Sequence, residues 1–177
     1  MPSQPTVAAN PAPQRWEHPW PPVFDASSRV LVLGTFPSPA SRAFGFYYGH
    51  PQNIFWRTLA GVLEVAEPAA TIEARRAFLL AHHIACWDVL HACVISGAAD
   101  ASIRRPEPNL FAPLLAVSDI REIFTTGRTA TDLFNRLCAA EAGQKAIYLP
   151  STSPANRARQ ALPAFQAAWC QVAAAFA

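Results

Sequence analysis

The chain has 177 residues, half of them hydrophobic, and a formal net charge of only +2. This is enough apolar material for one sizeable core. The low charge excludes a histone-like or tail-type nucleic-acid binder but leaves room for a compact enzyme with one local basic face. No apolar run is long enough to span a membrane, and the start lacks the charged-then-apolar pattern of a secretion signal, so a cytoplasmic protein is expected.

Residues 1–22 are rich in Pro, Ala and Gln and show no periodicity. They read as a disordered lead-in, of which only 16–20, with two Trp, are suited to pack on the domain that follows over 23–177. Val30-Leu31-Val32-Leu33 is a strand buried on both faces. It stops at Gly34 and gives way to a polar loop with Pro37, Ser38, Pro39 and Ser41. Three aromatics follow, Phe46, Tyr47 and Tyr48, then a turn at Gly49-His50-Pro51.

A helix is expected over residues 53–65, where Phe55, Trp56, Leu59, Val62 and Leu63 keep helical spacing, and another over 71–82. Residues 84–90 read as a second buried strand whose one charge is Asp88, and 96–108 as a loop. A short helix capped by Asn109 is expected next. Residues 120–125 and 146–149 are the third and fourth strands, separated by a helix over 128–140. A second polar loop, 150–157, precedes a last helix over 159–176.

Strands alternating with helices predict an α/β fold: a three-layer α/β/α sandwich on a central, mainly parallel four-stranded sheet. In such a sheet the strand exits share one edge, where ligands bind. The loops after Gly34, Asp88, Gly127 and Leu149 are therefore expected to converge.

A flat aromatic surface beside His50, Gln52 and Asn53 suits an extruded nucleobase, which needs a ring to stack on and fixed donors and acceptors at its edge. Each residue has a plainer use. Tyr47 fits the core, Asn53 a helix cap, His50 a turn, and Asp88 a structural hydrogen bond. The loop Ser151-Thr152-Ser153-Pro154-Ala155-Asn156-Arg157 offers hydroxyls, an Arg and a helix start where phosphate is attracted, or else an ordinary cap. Cys86, Cys93, Cys138 and Cys170 have neither CxxC nor zinc-finger spacing, and no metal is expected.

Taken together, these residues resemble the uracil-DNA glycosylase superfamily. Gly34-Thr35-Phe36-Pro37 is similar to its first motif, Gly-x-x-Pro. Tyr48-Gly49-His50-Pro51-Gln52-Asn53-Ile54-Phe55-Trp56 resembles the His-Pro-x-Asn-x-Phe-Trp stretch of the mismatch-specific branch, and Ser151–Asn156 the Ser-Pro-rich second motif. Two positions depart. Phe36 stands where most branches carry a catalytic Asp or Asn, and Ser151 where the most active uracil-removing branch has His.

Both departures look like the branch that removes hypoxanthine, the base of deoxyinosine. The resemblance then implies a cofactor-free, monofunctional glycosylase acting on double-stranded DNA as a monomer and leaving an abasic site. It implies Asn53 as the catalytic group and Phe36, Tyr48, His50 and Asp88 at the base, with Tyr48 as the stacking ring. It also implies Ser151, Ser153, Pro154, Ala155, Asn156 and Arg157 at the DNA. A mismatch-type uracil glycosylase, a non-catalytic damaged-DNA-binding module and a nucleoside hydrolase are the rival readings.

Overall fold

The computed structural model of the chain describes residues 12–176. Gln14–Glu17 form a first strand, β1, so the latter part of the lead-in expected to be disordered has regular structure; residues 1–11 lie outside the described residues. Val30–Gly34 (β2) is buried at all five positions. Ile84–Asp88 (β3), Glu122–Thr126 (β6) and Ile147–Leu149 (β7) join it in one parallel sheet of order β3-β2-β6-β7. Between β3 and β6 lie Leu90–Ile95 (β4) and Arg104–Pro108 (β5).

The alternation along β2 builds two cores. Val30 and Val32 face a cluster with Phe55, Trp56, Leu59, Phe78 and Trp169. Leu31 and Leu33 face one with Phe111, Leu114, Leu133 and Phe134. Helix α1 (Pro39–Phe44) follows β2, and the first cluster draws on helices α2 (Phe55–Val62), α3 (Ile72–Ala81) and α8 (Pro163–Ala174). The second draws on α4 (Ala112–Ala116) and α5 (Arg128–Leu137), and the short α6 (Ala139–Ala142) follows α5. The result is the α/β fold with helices on both faces of a four-stranded parallel sheet. No helix among the described residues is long and apolar enough to cross a membrane.

Several expected boundaries move for physical reasons. The strand expected over 84–90 divides at Val89, and β4 leaves the parallel sheet to pair antiparallel with β1 and β5 in a second, three-stranded sheet. The loop expected over 96–108 therefore contains β5. Asn109 does not cap a helix: its Nδ2 donates to Asp88 O at 2.9 Å, and α4 begins at Ala112 with Phe111 at its cap. The last helix is interrupted. A 3₁₀ turn, Pro154–Asn156, leads into α7 (Arg157–Gln160), and Pro163 restarts the chain as α8, where a missing N–H costs nothing.

Register sets the functional edge. Gly34 is opposite Asp88, and Thr126 is opposite Leu149, so the strands of the parallel sheet end in one row.

Candidate active site

A cavity of about 550 Å³ opens over that row of strand ends. Phe36, Tyr48, His50, Asn53, Asp88, Ser153, Pro154 and Ala155 all line it, although they come from three separate stretches of chain. Ser151, Asn156 and Arg157 do not. Asn156 instead braces the second loop, its Nδ2 donating to Ser151 O at 2.8 Å, while Arg157 is exposed at the start of α7.

The two loops are tied directly. Ile54 N–H donates to Thr152 O at 3.2 Å. Gln160 Nε2 donates to Ser153 O at 2.8 Å, and Trp169 Nε1 to Pro150 O at 3.1 Å, so the second loop is held from α7 and α8.

Asn53 sits one residue before the Ile54 cap of α2. Its Oδ1 accepts from Phe55 N–H at 3.0 Å, an Asx turn that supplies one of the donors a helix start leaves unpaired. Its Nδ2 has no hydrogen-bond partner among the described residues and is free to donate into the cavity. Capping and chemistry are therefore compatible: the carbonyl end of the amide serves one and the NH₂ end the other, with the amide orientation assigned from these partners. His50 Nδ1 accepts from Gln52 N–H at 3.0 Å, which shapes the turn before Asn53.

The Tyr pair divides. Tyr47 is 2% exposed, and its hydroxyl donates to Pro21 O at 3.0 Å. Tyr48 reaches the cavity from a left-handed backbone, φ +49°, which a non-glycine residue adopts only at a cost of about 1–3 kcal/mol. Burial pushes its phenol well above the ordinary value, so it stays protonated and able to donate.

Phe36 is apolar and 8% exposed at the cavity wall. Asp88 is 5% exposed. Its Oδ2 lies 2.8 Å from His18 Nε2, and its Oδ1 lies where a side chain at position 34 would begin. A Cβ on Gly34 would collide with Oδ1, so glycine is what admits the carboxylate at the strand end.

Three further participants were given no individual role from the sequence. His18 comes from 16–20, the part of the lead-in expected to pack on the domain for its two Trp, and it packs there with its ring beside Trp20. Asp100, in the loop after β4, lines the cavity and accepts from Thr35 Oγ1 at 2.7 Å. Burial raises its carboxyl above the ordinary value, with the Thr35 bond pulling the other way. Thr126, at the end of β6, meets the Tyr48 hydroxyl at 3.0 Å. Arg42 is committed locally, donating to Pro37 O at 2.7 Å and lying 4.1 Å over the Trp16 ring.

Comparison with known proteins gives a consistent picture. The model of the uracil DNA glycosylase superfamily matches residues 21–173. A hypoxanthine DNA glycosylase of Methanosarcina barkeri is 29% identical over 153 residues, covering 86% of this chain and 94% of that protein. One of Methanosarcina acetivorans is 33% identical over 139 residues, covering 78% and 87%. Among solved structures, an NMR structure of a candidate uracil DNA glycosylase from Methanosarcina acetivorans superposes with a TM-score of 0.72. It is 29% identical and covers 90% of this chain and 96% of that one.

Proposed function

This chain belongs to the uracil DNA glycosylase superfamily and is a DNA glycosylase; we propose that the base it releases is hypoxanthine, from deoxyinosine in double-stranded DNA. The observation that carries the reading is that Asn53, whose Nδ2 is unpaired among the described residues, and Tyr48 line one cavity whose wall at Phe36 offers no polar group. The names of both Methanosarcina relatives support the same base.

Deamination of adenine leaves hypoxanthine, whose pair with thymine is weakened, so extruding the nucleotide costs a few kcal/mol at most. Arg157 and the backbone N–H groups of the second loop grip the flanking phosphates. Ala155, exposed at the tip of that loop, and Asn156 fill the gap in the duplex. The purine stacks on Tyr48 and meets Asp88 and His50 at its edge. As the C1′–N9 bond lengthens, positive charge grows on the sugar and negative charge on the base. Asn53 holds a water near C1′ and stabilises that redistribution from a fixed position, which is the effective way to use a polar group.

The product is an abasic site in an intact strand. The sole lysine, Lys145, lies just before β7, at the opposite end of the strand from the cavity, and among the described residues no amine is placed to form a Schiff base with the sugar. Incubation with duplexes carrying one hypoxanthine or one uracil tests the reading: faster release of hypoxanthine, with strand cleavage only after alkali, supports it. Release of uracil alone moves the enzyme to the mismatch type, and cleavage without alkali refutes the monofunctional mechanism.

A further inference from the structure

His18 is buried to 2% side-chain exposure beneath the cavity, 70 residues away in sequence from the carboxylate it touches. The segment that carries it is anchored. β1 pairs with β4, and His18 N–H donates to His91 O at 2.7 Å. The imidazole sits among Trp20, Phe36 and Tyr47, each of which lines the cavity.

The ring's two nitrogens can be assigned from their partners. Nδ1 lies 2.8 Å from Trp20 O, and a carbonyl oxygen can only accept, so Nδ1 carries a proton. The Trp20 N–H is also near Nδ1, but at 3.5 Å it is the weaker claim. Nε2 lies 2.8 Å from Asp88 Oδ2, a contact that needs a proton between the two atoms. Either the imidazole is a cation donating to a carboxylate, or a carboxylic acid donates from Oδ2 to a neutral imidazole. In both states the shared proton lies between Nε2 and Oδ2. In both states Oδ1 is left with lone pairs and no hydrogen. Among the described residues Oδ1 takes no hydrogen bond, and Gly34 leaves it room at the cavity floor.

We propose that His18 is a positioning residue for base recognition: by occupying Asp88 Oδ2 it fixes Oδ1 as a pure hydrogen-bond acceptor, so the cavity takes bases with an N–H on the ring edge. The inference rests on the reading of the cavity as a hypoxanthine site. Hypoxanthine carries N1–H beside its O6 carbonyl, whereas adenine and unsubstituted purine present a bare N1 that repels an acceptor. Guanine shares the N1–H, so this acceptor separates hypoxanthine from adenine and not from guanine. Without His18, Oδ2 loses its partner and the carboxyl group is no longer fixed, so Oδ1 is not held as the acceptor that faces the base edge.

The test uses the full chain and single-turnover base release from duplexes carrying hypoxanthine, purine or adenine. Two variants of similar shape separate positioning from packing. His18→Gln places an amide N–H where Nε2 was and keeps the bond to Asp88. His18→Asn places one where Nδ1 was and keeps the bond to Trp20 only. The hypoxanthine-to-purine rate ratio is expected to stay near wild type in His18→Gln. In His18→Asn it should fall roughly 5- to 150-fold, the effect of mismatching one buried hydrogen bond. His18→Phe should fall with Asn, and circular dichroism spectra verify that each variant is folded. Equal ratios in the Gln and Asn variants and wild type, with hypoxanthine still released, overturn the inference alone. A wild type that releases no hypoxanthine overturns the reading of the site and the inference with it.

Discussion

Tyr48 lies face to face on Phe55, with 3.6 Å between ring centroids and 3° between planes. One face of the tyrosine is thus backed by the first residue of α2, and its hydroxyl is held by Thr126 at 3.0 Å. A ring fixed at both its face and its tip is a rigid stacking platform. Tyr48→Ala is expected to lower excision efficiency roughly 5- to 150-fold, since base–aromatic stacking is worth about 1–3 kcal/mol. Tyr48→Phe keeps the ring and should keep most of the activity. Single-turnover rates against DNA concentration check this, and an Ala variant as fast as wild type would return Tyr48 to the core.

Asn53 has two jobs that substitutions can separate. Asn53→Ser keeps a side-chain oxygen for the Phe55 N–H but removes the NH₂ group. Its melting temperature should stay close to wild type while base release collapses. Loss of stability with release intact would mean the residue serves only the turn.

Asp100 sets a stability expectation whose sign follows from burial. Its carboxyl titrates above the ordinary value, so the folded state binds this proton more tightly than the unfolded chain does. Its stabilising contribution is complete below the ordinary Asp value, about 3.9, and is lost as pH rises through the raised folded value. Asp100→Asn keeps an acceptor for Thr35 and cannot ionise. The variant should melt above wild type at pH 7, and the gap should close as pH falls toward 4. A variant that melts lower at pH 7 would show that the charged bond from Thr35 outweighs the burial cost.

Arg157 is exposed, outside the cavity, and at the start of α7. As a phosphate contact it should matter to all sequences alike. Arg157→Ala should weaken DNA binding whatever base is present and reduce the salt slope by about 1. Binding isotherms at several salt concentrations measure this, and an unchanged slope would remove Arg157 from the DNA surface.

The parallel sheet was legible because each of its strands is a short apolar run with a turn at its exit, and that signal is local. The second sheet was not. β1 is exposed along its length, so it has no buried face to give it a period, and its partner β4 lies some eighty residues on. β5, Arg-Arg-Pro-Glu-Pro, carries two prolines and three charges and reads as loop from any local rule. The same limit applies at the site. Asn53, His50 and Tyr48 sit in one compact motif and could be read together. The partnership of His18 with Asp88, and of Thr35 with Asp100, exists only once distant segments meet. Asn109 was given a capping role because capping is the common local use of Asn, yet its amide crosses to Asp88 O.

The most direct test is single-turnover release of hypoxanthine from a duplex with one deoxyinosine opposite thymine, comparing wild type with Asn53→Ala. Wild type should release the base, and the variant, still folded and still binding the duplex, should be slower by about 100- to 1000-fold, the usual effect of losing one preorganised polar group. A variant within threefold of wild type would contradict the assignment of Asn53, and no release by wild type despite tight binding would contradict the reaction itself.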